Sequence, residues 1–447
     1  MIAVVVSRAD RASEHIGERL LDLVDWTERT DDGRADADGG GGYWTTDGFE
    51  LRTFDDRHLD VDDAAAAFGG DPDLLLFVSR HSGDTGALLT GHFTGNFGPA
   101  EHGGADRDLA RAAPNALSVL YAAFERYAPA GYDVGVEGTH HGPTAVGRPS
   151  LFVELGSDDE QWDDPEGATA VARAVLALRG VAPDRERTVV GVGGGHYAPR
   201  FERVLAETPW AVGHVVSDWQ LAELGHPEAH REVVARLFAE SDAEVALFDG
   251  DHPEMEAVVE DLGHRVVSET WLREVGTKSL DRVAALEDAL SPIDEGLRLG
   301  DVALDREFVV TALPTGLVDA ARAVDADATR GAVFDAALAV ETVENGNRVG
   351  DRAAVPPGAY DGVVDDLVDV LRVEYEAVVR EDGVVRATET AFDPEKAAEL
   401  GVPEGPKFGR LAGGEAVEVD GETVPPEAVS TEHTHEFAVA PADHTGV

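Results

Sequence analysis

The chain has no cysteine in its 447 residues. That excludes a disulfide framework, a disulfide-linked partner, a thiolate metal site and a cysteine nucleophile. Lysine is nearly missing too: Lys278, Lys396 and Lys407 are the only ones, so arginine carries almost all the positive charge. No apolar run reaches the roughly 18 residues that a membrane helix needs, so no membrane span is expected. The N-terminus, Met1-Ile2-Ala3-Val4-Val5-Val6, has no basic region ahead of its apolar residues and reads as a first strand rather than a secretory signal. A cytoplasmic protein is expected, monomeric by default.

What is abundant is negative charge. Asp and Glu number 88 against 36 Lys and Arg, a formal charge of −52. The carboxylates are spread along the chain, whereas an acidic arm or a disordered tail would gather them in a block. A diffuse excess fits adaptation to very high salt. At about 1 M salt the Debye length is about 3 Å, so self-repulsion is largely screened. The net charge therefore does not decide whether the partner is a nucleic acid.

With 43% hydrophobic residues the chain can bury a core, and its length suggests two or three domains. Up to about residue 270 strand-like and helix-like segments alternate. Apolar runs at Ile2–Ser7, Leu74–Arg80, Leu88–Thr94, Asp133–Glu137, Leu151–Leu155, Thr188–Val192, Ala211–Val216, Glu244–Phe248 and Arg265–Ser268 read as strands. Amphipathic stretches at Asn115–Tyr127, Pro165–Leu178, Pro199–Ala206, Pro227–Ala239 and Pro253–Leu262 read as helices, most opened by a proline at the first turn. This alternation predicts an α/β domain over residues 1–275, with a mixed or mostly parallel sheet flanked by helices. The segment Asp31–Gly42, DDGRADADGGGG, reads as a mobile surface insertion. Residues 276–447 read as a smaller α+β domain of unknown role. It has helices at Leu280–Leu290, Gly316–Ala323 and Tyr360–Ala377, and a hairpin turning at Asp420-Gly421.

Polar clusters close several of the strands, where ligands bind in open α/β sheets. Ser79-Arg80-His81-Ser82 follows the strand from Leu74. In His92-Phe93-Thr94-Gly95-Asn96, a continued strand would put His92, Thr94 and Asn96 on one face. In Glu137-Gly138-Thr139-His140-His141, either one histidine reaches a site, or the chain leaves the strand at Gly138 and both do. Two histidines and a carboxylate match the ligand set of a catalytic zinc; a hydrogen-bonded histidine pair at a turn is the structural alternative. Glu154 lies inside the apolar run Leu151–Leu155, where a charge is costly unless paired, which makes it a ligand, base or orienting partner. An outward-facing residue on an edge strand is the alternative. Gly193-Gly194-Gly195-His196 joins a strand to a helix primed by Pro199. Such a loop can offer backbone N–H groups to an anion, and it fits neither a dinucleotide fingerprint nor a P-loop. His214, inside a strand, reads as a satisfied core histidine.

Five strings, SRHS, HFTGNFG, EGTHHGP, PSLFVELGS with a following Trp162, and GGGHYAPRF, occur in that order. Together they resemble the archaeal and plant type of D-aminoacyl-tRNA deacylase over residues 1 to about 270. The resemblance implies a fold similar to purine nucleoside phosphorylases and bacterial-type peptidyl-tRNA hydrolases. It also implies hydrolysis of the ester of a D-amino acid on tRNA, as chiral proofreading, and the use of zinc. On that reading His92, His140, His141 and His196 hold the metal with Glu137 or Glu154, and His141, His196, Glu137 and Glu154 carry catalysis. Gly193, Gly194 and Gly195 serve the oxyanion or the terminal phosphate. Arg80, Arg148 and Arg200 contact phosphate, while Thr94 and Asn96 orient the amino group or the terminal adenosine. The segment Leu400–Val424 is similar to a piece of the zinc-dependent tRNA 3′-processing ribonuclease, whose H-x-H-x-D-H cluster is absent here. Peptidyl-tRNA hydrolysis, nucleoside phosphorolysis and a non-catalytic tRNA-binding module remain open at this point.

Overall fold

The computed structural model describes residues 1–439. One compact unit is Met1–Thr277, and a second begins at Lys278. The first unit contains two sheets. Eight strands, β1 Ile2–Ser7, β2 Thr27–Asp31, β3 Gly41–Thr46, β4 Phe49–Phe54, β5 Leu74–Arg80, β6 Leu88–His92, β7 Asp133–Val136 and β8 Ser150–Gly156, pair in the order β2-β3-β4-β1-β5-β8-β6-β7. Four more, β9 Thr188–Gly193, β10 Ala211–Val216, β11 Val245–Asp249 and β12 Arg265–Val267, form an all-parallel sheet in the order β10-β9-β11-β12.

β1 lies between β4 and β5, parallel to both and buried along its whole length. A strand covered on both faces reads as a continuous apolar run, which is why IAVVV shows no alternation. One face of the large sheet, through Val4, Val6, Leu76, Val78, Leu151 and Val153, packs on the helices Arg11–Leu23, Pro114–Tyr127 and Pro165–Ala177. The opposite face, through Val5, Leu75, Phe77 and Phe152, is covered by short turns and loops around Val61, Ala64, Phe68 and Val146. Helices thus occupy one side, and irregular chain the other.

β5 and β8 run parallel, but β6 is antiparallel to β8 and parallel to β7. The register sets Ser79 against Glu154, Glu154 against Thr90, and Phe152 against His92. Paired residues share a face, so these polar side chains emerge together on the helix-free face, where strand direction reverses. The site is therefore not a crevice along one shared carboxyl edge, as the strand-end placement of the motifs suggested.

The mixed sheet and flanking helices match the expected fold class. Three features differ. The helix Arg11–Leu23 and strands β2–β4 fill a region with no expected elements. The segment expected as a mobile insertion begins in β2 and ends in β3, and its connection is tied down. Buried Arg52 donates to Asp31 Oδ2 at 2.8 Å and to the Gly39 carbonyl at 2.8 Å, and it also bonds Glu50 Oε1 at 2.7 Å. A buried guanidinium must be paired, and these acceptors pair it. Finally, the expected helix Tyr360–Ala377 stops at Leu371, and Ala377 opens a strand paired with Thr388.

The second unit has an antiparallel sheet β13-β15-β16-β14 (β13 Leu297–Leu299, β14 Val309–Ala312, β15 Ala339–Val343, β16 Arg348–Val355). A three-stranded sheet joins β17 Ala377–Glu381, β18 Val384–Phe392 and β21 Ser430–Ala438. The hairpin of β19 Val417–Val419 and β20 Glu422–Val424 turns at Asp420-Gly421, both left-handed, with φ of 51° and 89°. In the segment similar to the tRNA 3′-processing ribonuclease, Val402 and Leu411 pack with Ala397, Val417, Val424 and Val429 into a small core of their own. Those apolar positions serve packing.

Candidate metal and ester-hydrolysis site

β6 ends at His92 and β7 at Val136, so the chain leaves the sheet before both of the next polar strings. The loop that follows β7 is pinned to its surroundings. His140 N–H donates to the Phe93 carbonyl at 3.3 Å, Gly142 N–H to that of His102 at 2.9 Å, and Gly95 N–H to that of His141 at 2.8 Å. His141 takes a left-handed φ of 43°. A Cβ at Gly142 would stand 2.3 Å from the Gly103 carbonyl carbon, so only glycine lets the two loops meet. With the strand broken, both His140 and His141 turn inward beside His92. Ring centroids lie 4.1 Å apart for His92 and His140, 4.9 Å for His92 and His141, and 4.4 Å for His140 and His141.

The three rings are tethered alike at Nδ1. Nδ1 of His92 bonds the Phe93 carbonyl at 3.0 Å, Nδ1 of His140 that of Gly138 at 2.8 Å, and Nδ1 of His141 that of Gly142 at 2.6 Å. A carbonyl oxygen only accepts, so each Nδ1 carries the hydrogen and each ring, when neutral, presents its lone pair at Nε2. One nitrogen from each of the three lies within 4.8 Å of the others. This is the arrangement in which a histidine cluster holds a cation, the second nitrogen of each ring being fixed by a backbone acceptor. Nε2 of His92 is buried without a hydrogen-bond partner, as is Oε1 of Glu137. Burial, then the neighbouring His92, push His140 and His141 well below the ordinary histidine range, which keeps them neutral and able to ligate. His92 is raised: burial works downward, but the carboxylate of Glu154, 3.6 Å from Nε2, outweighs it and favours positive charge there. The donor set therefore fits a zinc ion.

Two carboxylates flank the rings. Glu154 Oε1 lies 3.6 Å from His92 Nε2 and accepts from Ser79 Oγ at 2.8 Å. Glu137 Oε2 bonds His196 Nε2 at 2.7 Å and lies 3.7 Å from His81 Nε2 and 3.9 Å from His140 Nε2. Burial alone would raise Glu137; the bond from His196 and the nearby histidines hold it far below the carboxylate range instead. Glu137, His140 and His196 also satisfy ligand spacing, but His140 has only one free nitrogen to give. A pocket of about 370 Å³ opens onto Glu137, His140, His141, Glu154 and His196, and Arg80 and Arg57 also line it.

Several residues expected here are elsewhere. Thr94 is buried off the pocket, its backbone carbonyl bonded to Ala110 N–H. Asn96 spends its amide on the Gly103 and Ala105 carbonyls at 2.9 and 3.2 Å, so it braces a loop. Both follow from the strand's stopping at His92. Arg148 pairs with Asp71, and Arg200 with Asp249 and Glu269, so neither guanidinium is free for phosphate. The three glycines form no anion cradle. Gly193 pairs in the sheet with Asp249, Gly194 N–H donates to Asp218 Oδ1 at 3.2 Å, and neither these nor Gly195 line the pocket. His214 is a core histidine, bonded at Nε2 to the Ala110 carbonyl and at Nδ1 to Thr139 Oγ1.

Other pocket residues were given no individual role. His81 joins Ser157 Oγ at 2.9 Å through Nδ1 and the Tyr197 hydroxyl at 3.0 Å through Nε2. Ser79, His81 and Tyr197 lie within the recognised strings, so their signal was present. His58 also lines the pocket, from a segment with no periodicity and no motif to mark it.

The family model for D-aminoacyl-tRNA deacylase matches residues 68–267. A D-aminoacyl-tRNA deacylase of Halorubrum lacusprofundi is 55% identical, over 99% of this chain and 98% of its own length. That of Natronomonas pharaonis is 57% identical, over 96% and 98%. That of Methanoregula boonei is 34% identical, over 80% and 84%. Among solved structures, a conserved protein of unknown function superposes with a TM-score of 0.55 at 29% identity, covering 61% of this chain and 96% of its own. The match extends over nearly the full length of these relatives, and the chain belongs to the D-aminoacyl-tRNA deacylase family.

Proposed function

We propose that the chain hydrolyses the ester joining a D-amino acid to the 3′ end of tRNA, releasing the amino acid and free tRNA, with zinc held by Nε2 of His92, His140 and His141. The observation that carries the metal assignment is the common tether of these rings, each fixed at Nδ1 by a carbonyl acceptor. Zinc bound there would lower the pKa of water and polarise the ester carbonyl. A cytoplasmic reaction is consistent with a tRNA substrate.

The remaining chemistry belongs to the chain. His196 donates Nε2–H to ionised Glu137, which leaves the lone pair at Nδ1. A base oriented by a buried carboxylate in this way can take a proton from an attacking water. Glu137 stays ionised and orients; it is too weak a base to act itself. Glu154, steadied by Ser79, holds negative charge beside His92 and favours a cation there. Arg80 lines the pocket and rides over the Trp162 ring at 5.2 Å, where it can meet a phosphate of the tRNA end.

Release of D-tyrosine and of L-tyrosine from charged tRNA tests this reading, in about 2–3 M KCl to screen the acidic surface. The expected outcome is selective D-release that a zinc chelator abolishes and added zinc restores. Release indifferent to chelation would remove the metal and keep the reaction. Absence of D-release from folded protein would overturn the reaction.

A further inference from the structure

Large apolar side chains exposed to solvent are few among the described residues: Trp219, Val343, Val373, Val379 and Leu400. Only Trp219 lies in the unit that carries the site, and only Trp219 is aromatic. It is 43% exposed, and its ring centroid is 6.4 Å from that of His196. His196 in turn packs edge-on against Tyr197, at 5.1 Å and 78°. Tyr197, His196 and Trp219 thus form a row leading outward from the pocket.

The tryptophan is held firmly. It sits on the short helix Asp218–Leu224, opened by a capping box of Ser217 and Gln220. Gln220 also donates to the Thr139 carbonyl, next to His140. Asp218 accepts from Gly194 N–H and lies 3.2 Å from His252 Nε2, and its own N–H donates to the Gly194 carbonyl. The glycine loop, which cradles no anion, anchors this helix instead. Such tethering on two sides does nothing to bury Trp219, whose indole stays open to solvent.

We propose that Trp219 is the platform on which the unpaired terminal nucleobase of the RNA substrate stacks; this rests on the reading above. The ester is carried by the ribose of the last nucleotide, so that nucleotide's base must come to rest within one sugar's reach of the reacting carbonyl. A rigid aromatic face beside His196 is within that reach. Stacking also suits this chain's charge. A surface of −52 offers few phosphate contacts, and phosphate contacts weaken as salt rises, whereas base stacking does not depend on counterion release.

A binding cycle tests this without needing turnover. Affinities of full-length chain for uncharged tRNA, and for the same tRNA lacking its terminal adenosine, are measured in about 2 M KCl for wild type, Trp219→Ala, Trp219→Phe and Trp219→Leu. Trp219→Ala is expected to weaken intact tRNA by about 5- to 100-fold, the range for loss of one base–aromatic stack. Removing the adenosine should cost wild type a similar factor and cost Trp219→Ala almost nothing. Phe should retain most of the binding, and Leu, with bulk but no π face, should not. Equal truncation penalties in wild type and Trp219→Ala would overturn the proposal. So would a wild type that binds neither RNA, or a Trp219→Ala variant that loses self-association while tRNA binding is unchanged. Failure of D-tyrosine release with the cycle intact would sink the hydrolysis and leave the platform standing.

Discussion

His214 and His92 are equally inaccessible, each fully buried at the end or middle of a strand. The first has both ring nitrogens satisfied, by the Ala110 carbonyl and by Thr139 Oγ1. The second has Nδ1 satisfied and Nε2 orphaned, within reach of His140, His141 and Glu154. One region uses histidine as a polar strut between the two sheets' strands and loops. The other leaves a lone pair unspent and surrounds it with more of the same. Burial therefore does not mark a functional histidine; an unfilled nitrogen does, because a buried polar atom without a partner is costly unless something occupies it.

The largest effect should come from the orphaned side of this contrast. On the proposed assignment His140→Ala or His141→Ala removes one of three zinc ligands, and turnover is expected to fall at least about a thousandfold, as loss of a catalytic metal implies. Zinc retained through dialysis, measured per folded chain, should fall with it. Wild-type turnover in either variant would remove these residues from the site.

On the satisfied side, His214→Ala should leave zinc binding intact and cost stability instead, on the order of 2–4 kcal/mol, from the cavity and the two stranded partners. Denaturant unfolding in high salt reads this directly. A normal midpoint with lost zinc would invert the comparison.

The same residue gives an acid limb. Burial lowers His214 from 6.5 to about 4 in the folded chain. Between these values the unfolded chain binds the proton and the folded chain does not. Stability is thus full above about pH 6.5, falls by about 1.4 kcal/mol per pH unit for this ring, and levels off near pH 4. His214→Gln should remove that share of the slope, and an unchanged slope would mean the ring titrates normally.

Smaller effects sharpen the boundary of the site. Ser79→Ala takes away the hydroxyl that steadies Glu154, the carboxylate beside the proposed ligand His92, and a loss of zinc affinity of no more than about 10-fold is expected, at the low end for support of a metal ligand. Arg148→Ala should change kcat/KM less than about twofold, since its guanidinium is already neutralised by Asp71, away from the pocket. A large loss there would return Arg148 to the substrate.

How much of this was legible beforehand depended on the range of the interaction. Ile2–Ser7 and Leu74–Arg80 were readable as strands because burial writes itself into local runs. The β2–β4 region was not, since partners such as Arg52 and Asp31 meet only across the folded sheet. Glu137, His140, His141 and His196 were readable as chemistry, being polar residues at the ends of apolar segments. Thr94 and Asn96 were misplaced because alternation was carried past His92, where the strand stops. Arg148, Arg200 and Gly194 meet partners distant in the chain, and the sequence carries no local sign of them.

The amino-acid sequence by itself determined which groups were available: four histidines in polar strings, two carboxylates within or after apolar strands, no thiols, and a large excess of negative charge. Only the tertiary structure decided which nitrogens were left free. That choice turns on β6 running against β8, and on three backbone carbonyls that happen to face three Nδ1 atoms. Strand direction and hydrogen-bond partners are set between segments far apart along the chain. Local composition carries no record of them.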